Sequence, residues 1–269
     1  MRKIRSSGTG VTRLTPALRR RAAAILKAMH AARPAPRVEL LHSGPFQLLI
    51  ATILSAQCTD ARVNQVTRDL FRAHPDAASL ARVPQADLER AIRSTGFFRS
   101  KAKSIRGCSA ALVERHQGSV PKTMEEMLRL PGVGRKTANV VLGAGYGIPS
   151  GIVVDTHMTR VAQRLGLTKR SDPEGIERDL MALIPPEEWI YFSIAMILHG
   201  RYVCVARRPR CGACPLNPHC PSRHLEAEGQ AGGRSRRPSR GRTGSRRARP
   251  RASPAAAGAS RGAAAGKHG

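Results

Sequence analysis

Acidic side chains are scarce: 18 Asp and Glu stand against 46 Lys and Arg in 269 residues, a formal net charge of +28. That imbalance excludes an acidic or balanced housekeeping enzyme and points to a polyanionic partner. Aromatics are scarcer still, with five Phe, three Tyr and one Trp, so Leu, Ile, Val, Ala and Met must fill any core. Long apolar runs are missing as well. A membrane-crossing helix needs about 20 consecutive apolar residues, and the longest stretches, 46–56 and 190–198, fall well short. The basic stretch Arg2 to Arg5 is not followed by an apolar segment of signal-peptide type. The expected compartment is therefore the cytoplasm, where six cysteines point to metal binding or reactivity rather than disulfides.

At 41% hydrophobic the chain can bury the core of one large domain or two modest ones. Residues 221–269 add nothing to it. They are almost all Arg, Ser, Gly, Pro and Ala, with Leu225 the only large apolar residue, so burial cannot offset their ordering entropy. A disordered basic tail is expected there, reading equally as a solubilising extension or as a nonspecific nucleic-acid arm. It holds eleven Arg and one Lys against two Glu, so ten of the 28 net charges lie in it and eighteen in residues 1–220. The folded part is itself basic. Residues 1–14, which contain no acid, read as a second disordered basic end.

From residue 14 to 203 the apolar spacing is helical, and capping residues followed by Pro or acid mark the starts. Thr15-Pro16, Ser43 to Pro45, Thr59-Asp60, Pro84 to Asp87, Thr123 to Glu126, Asp155-Thr156 and Asp172-Pro173-Glu174 each open a segment. Ends are expected at Pro34, Pro75, Gly96, Gly118, Gly147, Gly166, Pro185 and Gly200. No alternation persists long enough for a sheet, although Gly151 to Val154 suits a brief extended stretch. The fold class is all-α.

Three constellations carry chemistry. In the first, Leu130-Pro131-Gly132-Val133-Gly134-Arg135-Lys136-Thr137 joins two helical segments through a tight Gly-x-Gly turn. Gly132 and Gly134 permit positive φ and present consecutive backbone N–H groups at a helix start, which grips a phosphate oxygen without reading a base. This is a helix-hairpin-helix DNA-binding pattern, with Arg135 beside it; the alternative is a plain turn between helices. Lys136 stands at the positive end of the second helix next to Arg135, a setting that favours the free amine. Two roles fit it, nucleophile at a sugar carbon or phosphate-binding cation.

In the second, Val153-Val154-Asp155-Thr156-His157, Asp155 suits either an N-cap or a carboxylate that stabilises a developing cation on a sugar ring. The third is Cys204-x6-Cys211-x2-Cys214-x5-Cys220. Four thiolates at this spacing form a metal site, equally suited to structural zinc or a cubane iron–sulfur cluster. Arg207, Arg208 and Arg210 make its first loop cationic and fit for phosphates. Cys58 and Cys108 read as inert thiols in helical segments.

Taken in order, these motifs resemble the endonuclease III family of helix-hairpin-helix DNA glycosylases from about Thr15 to Cys220. The resemblance includes Ser55-Ala56-Gln57, Gly96-Phe97-Phe98-Arg99-Ser100-Lys101-Ala102, and His199-Gly200-Arg201-Tyr202 leading into the four cysteines. It implies two all-α domains. A six-helix barrel would span 38–148, and residues 15–37 would join 149–220 as an iron–sulfur domain. It implies a bifunctional glycosylase and abasic-site lyase of base excision repair, with Lys136 as nucleophile and Asp155 as its acidic partner. Cys204, Cys211, Cys214 and Cys220 would hold a [4Fe–4S] cluster. The partner would be double-stranded DNA containing oxidised pyrimidines or abasic sites, bound by a monomer associated with the bacterial nucleoid.

Base extrusion needs something to fill the vacated stack, and Gln57 matches the family's gap-filling glutamine while Phe97 sits in the opposing wedge. Phe97-Phe98-Arg99 departs from the more usual aliphatic, aromatic and small polar residues, which bears on opposite-base preference and lesion range. A mismatch-specific adenine glycosylase normally lacks the hairpin lysine. The alternatives are a lyase or glycosylase paralogue of diverged base specificity and a non-catalytic iron–sulfur DNA sensor.

Overall fold

A computed structural model describes residues 14–224. The basic N-terminus ahead of Leu14 and the tail beyond His224 lie outside these residues, although the first four tail positions, 221–224, continue the chain as a turn. Among the described residues there are eleven α-helices and no strand. They are α1 (Pro16–Ala32), α2 (Pro45–Leu54), α3 (Asp60–Ala73), α4 (Ala77–Ala81), α5 (Gln85–Ile92), α6 (Phe98–His116), α7 (Met124–Leu128), α8 (Arg135–Val140), α9 (Thr156–Arg164), α10 (Pro173–Met181) and α11 (Trp189–Tyr202). Residues 151–154 pair with no strand and simply cross the interior, buried, toward α9.

Local chemistry sets most of the starts. Thr15, Thr59, Asp76, Thr123, Asp155 and Asp172 each accept a hydrogen bond from the backbone N–H three residues on, satisfying one of the four donors a helix start leaves open. Gly200 departs from its expected role as a stop. It lies inside α11, which runs on to Tyr202, and a Cβ there would stand 2.9 Å from His157 Cβ and 3.1 Å from Val161 Cγ2. The glycine is there to let α11 cross α9 closely, a tertiary reason that local sequence does not carry. Gly200→Ala is expected to lower stability by about 1–3 kcal/mol through overpacking, measurable by urea unfolding. Cys58 also differs from expectation, since it lies in the turn after α2 rather than in a helix.

The apolar residues form two separate cores. One is built on α2, in which every residue from Leu48 to Leu54 is buried, as expected of a helix apolar all round. Around it pack Val63, Leu80, Leu88, Ile92, Ile105, Leu112, Met127 and Leu142. The other joins Leu18, Ala22, Ile25 and Met29 of α1 to residues of the 152–216 stretch, among them Met158, Ile176, Phe192 and Leu216. Phe192 is the one aromatic among the largest fully buried side chains; aliphatic residues and Met make up the rest. The chain passes from one core to the other at residues 143–151, and residues of α8 and the N-cap of α9 line one cleft.

Candidate active-site cleft and metal centre

The hairpin before α8 has a double requirement for glycine. Gly132 adopts φ +76°, and a Cβ there would stand 2.5 Å from Ser104 Cβ, so the turn lies directly on α6. Gly134, with open space around it, is the N-cap of α8 and offers no capping side chain. The N–H groups of the first turn are therefore left to an external acceptor. Gly132→Ala is expected to cost about 1–3 kcal/mol from backbone strain alone, read by thermal unfolding, and to weaken binding of undamaged duplex in the same samples.

Lys136, the second residue of α8, is exposed and has no ion-pair partner among the described residues. It lines one cleft together with Asp155, which Asn139, Val153 and Ser193 also line, with about 720 Å³ of empty space in part open to solvent. The two residues come from opposite sides of the crossing between the cores. Asp155 does cap α9, its Oδ1 accepting from the Met158 N–H at 2.8 Å, but capping engages one carboxylate oxygen of two. The two roles read for Asp155 from sequence are thus compatible.

Other residues of the cleft have no role assigned from the sequence, although Arg201, with its neighbour Tyr202, belongs to a motif of the resemblance and Asp60 to a helix start. Arg201 donates to Glu39 Oε2 at 2.5 Å and to Asp60 Oδ2, and the Tyr202 hydroxyl donates to Glu39 Oε1. Glu39, Asp60 and Arg201 all line the cleft. Burial works against the Arg201 charge, yet the Asp60 and Glu39 carboxylates outweigh it and hold its pKa above the ordinary value. Arg135, expected at the DNA, donates through Nε to the buried Glu177 at 2.5 Å while its side chain stays 42% exposed. Glu177 Oε1 accepts from Asn139 Nδ2 at 2.8 Å, and Asn139 Oδ1 accepts from Ser150 Oγ at 2.9 Å. This chain of bonds fixes α8 to α10. Its loss in Glu177→Ala is expected to destabilise the protein by about 1–3 kcal/mol, because Asn139 is left buried without its acceptor; chemical denaturation measures it.

Gln57 and Phe97 are exposed, and both stand in the left-handed backbone region, at φ 52° and 47°. Phe97, 65% exposed, is an aromatic ring in water. Only four non-glycine residues among those described have positive φ: these two, Gln117 and Arg208. Each such residue costs about 1–3 kcal/mol, a strain that concentrates at functional positions. The next residue, Phe98, instead turns into the first core and carries the Arg93 and Arg99 guanidinium groups at 5.9 and 5.3 Å from its ring centre.

Cys204, Cys211, Cys214 and Cys220 line a single pocket. No three His, Cys, Asp or Glu among the described residues are gathered closely enough for one metal ion. Four thiols around a common space are a donor set that fits a [4Fe–4S] cubane. The loop is held from α9. Arg160 donates to the Gly200 and Cys204 carbonyls at 2.7 and 3.1 Å, and Arg164 donates to the Val205 and Ala206 carbonyls at 2.7 and 2.9 Å. Arg164 Nη1 also lies 3.4 Å from Cys204 Sγ, and His199 Nε2 lies 3.6 Å from Cys214 Sγ. Burial, with a lesser push from Arg33, lowers the His199 pKa to about 4, so its imidazole is neutral at neutral pH. Arg207, Arg208 and Arg210 project from the first loop, all exposed. Cys108, outside this group, is buried, and burial pushes its thiol up to about 12, so it is inert.

A hairpin that presents backbone N–H groups, an exposed lysine and a carboxylate on one cleft, and a cationic four-thiol loop suit a protein that grips a phosphate backbone and carries a cluster. Residues 50–186 match the HhH-GPD superfamily of base excision DNA repair proteins, and residues 204–220 match the iron–sulfur binding domain of endonuclease III. Endonuclease III of Synechocystis sp. is 55% identical over 204 residues, covering 76% of this chain and 93% of the relative. That of Escherichia coli is 40% identical over 196 residues, covering 73% and 92%. A solved non-covalent endonuclease III–DNA complex superposes with a TM-score of 0.75 at 42% identity, covering 80% of this chain and all of that one. A trapped endonuclease III–DNA covalent intermediate gives 0.74 at 43% identity, covering 78% and 98%. The chain belongs to the endonuclease III family of the HhH-GPD superfamily.

Proposed function

We propose that the protein is a bifunctional DNA glycosylase and abasic-site lyase that removes oxidised pyrimidines from double-stranded DNA, working as a monomer at the bacterial nucleoid. The observation that carries this reading is the shared cleft of Lys136 and Asp155. The Lys136 amine attacks C1′ of an extruded nucleotide, the bond from C1′ to the base breaks, and the base leaves with a proton. Asp155 faces the positive charge that develops on the sugar ring, where a fixed carboxylate lowers the barrier without reorganising. The C1′–O4′ bond of the resulting aminal then breaks, O4′ takes a proton, and Lys136 is left in a Schiff base with the ring-opened sugar. Loss of a C2′ proton expels the 3′ phosphate by β-elimination, and hydrolysis returns Lys136.

Around this centre the first-turn N–H groups of α8, with Gly132 and Gly134 shaping the hairpin, grip a backbone phosphate, and Arg207, Arg208 and Arg210 hold a second stretch of backbone. Gln57 fills the vacated stack and Phe97 wedges the orphaned base. On this reading a barrel spans 38–148 and a second domain joins 15–37 to 149–220, a division that the two apolar clusters support. A [4Fe–4S] cluster bound by Cys204, Cys211, Cys214 and Cys220 would add a redox-capable cross-link that fixes the loop carrying the three arginines.

Borohydride reduction on two duplexes, one with thymine glycol and one with an abasic site, tests the reading. A covalent adduct on both is expected. An adduct on abasic DNA alone would indicate a diverged base pocket, and none on either would leave a DNA-binding sensor.

A further inference from the structure

Lys101 is buried, 5% exposed, with no carboxylate among the described residues bonded to it. Its Nζ donates to the Leu54 carbonyl at 2.8 Å and to the Thr95 carbonyl at 2.8 Å. Those two acceptors hold matching positions. Leu54 is the last residue of α2, three before Gln57 and directly before the turn that begins at Ser55, and Thr95 closes the short 3-10 helix Arg93–Thr95 just before Gly96 and Phe97. Carbonyls at helix ends lack partners within their helix and carry the negative end of its dipole. One ammonium, with three donors, therefore ties together the roots of two turns whose tips are the exposed, left-handed Gln57 and Phe97. The backbone N–H of the same residue also bonds the Phe97 carbonyl, at 3.1 Å.

Two short hydrogen-bonded turns reached from different elements would otherwise fluctuate independently. A charge without a carboxylate is also an expensive way to join them, since burial alone lowers the Lys101 pKa and only the nearby Cys58 sulfur opposes that. An apolar side chain would fill the same space at no such cost. What it could not do is fix the spacing between the two carbonyls.

We propose that Lys101 is a positioning residue for base extrusion: its buried ammonium couples the two turns so that Gln57 and Phe97 enter the duplex as one two-pronged wedge. This rests on the reading of Gln57 and Phe97 as the residues that enter the stack. Extrusion succeeds when the gap is filled and the opposite base is held apart in the same event, because either half alone leaves an unstacked step. Lys101 touches neither DNA nor the reacting atoms.

The test is Lys101→Met, which keeps the length and loses the donors, assayed on thymine glycol placed opposite adenine and on the same lesion opposite an abasic analogue. The second duplex has no partner base to part, so it needs the wedge least. Glycosylase kcat/KM is expected to fall at least about tenfold on the paired lesion and less than about twofold on the unpaired one. In a Gln57→Ala, Phe97→Ala background, Lys101→Met should cost less than about a further twofold on the paired lesion, since the residues would act as one unit. Equal losses on both duplexes, an undiminished loss in that background, or no loss at all would overturn the proposal. Should Lys101→Met not fold, as judged by circular dichroism, Lys101→Arg carries the same comparison, because a planar fork cannot reproduce the two ammonium bonds. Adduct formation by the unaltered protein on abasic DNA separates the two levels: if it fails, the functional reading falls first.

Discussion

Lys136→Ala is expected to form no borohydride-stable adduct on any duplex and to cut abasic DNA at least about 10⁴-fold more slowly, the scale on which removing a nucleophile acts. Binding of the same duplex should change little, since the α8 N–H groups and the loop arginines remain. Asp155→Asn makes the complementary measurement. Asn caps a helix about as well as Asp, so α9 should keep its start and the unfolding midpoint should hardly move, while glycosylase kcat falls about 10²-fold or more. Asp155→Ala removes cap and charge together and should add about 1 kcal/mol of destabilisation. If Asn and Ala behaved alike in stability and Asn retained full activity, capping would be the whole role of Asp155.

Cys214→Ser is expected to abolish the visible absorption of the cluster and to lower the thermal midpoint by at least about 10 °C, because metal ligation contributes directly to folding free energy. The effect should be unequal across the molecule. The first core contains none of the four thiols, whereas Cys204, Cys214 and Cys220 pack against the second. Hydrogen exchange should accordingly rise in α9, α11 and the 204–220 loop while α2 and α6 stay protected. Uniform loss of protection would mean that the two cores unfold as one unit.

How legible the fold was depended on the range of the forces involved. Caps at Thr15, Thr59, Thr123, Asp155 and Asp172 act within four residues, and all five mark real helix starts. Gly200 misled because its reason is a neighbouring helix, a contact that no local window contains. At the site, Lys136 and Asp155 stood out by the company they keep in sequence, while their sharing of one cleft followed only from the family resemblance and not from the residues themselves. Glu39 and Glu177 gave no signal, and Asp60 only that of a helix start: each is an ordinary acid whose partner, Arg201 or Arg135, lies far along the chain. Lys101 lies in the Gly96 to Ala102 motif of the resemblance, but nothing there gave it a role. A lysine in a helical segment reads as solvent-exposed, and only the meeting of two turns makes it a buried link.

The second core draws on both ends of the described chain, α1 from the beginning and residues 152–216 from the far side of the first core. During synthesis the residues from 40 to 142 can condense as they emerge, since everything their core needs lies within that stretch. The apolar face of α1 must wait, uncovered, until residues past 152 arrive. Lys136 is in place by then, but the wall that carries Ile190 and Arg201 and the last thiol at Cys220 are still to come. A nascent or prematurely ended chain thus carries the nucleophile without the cutting site, and DNA meets a competent blade only after nearly the whole folded portion has been made.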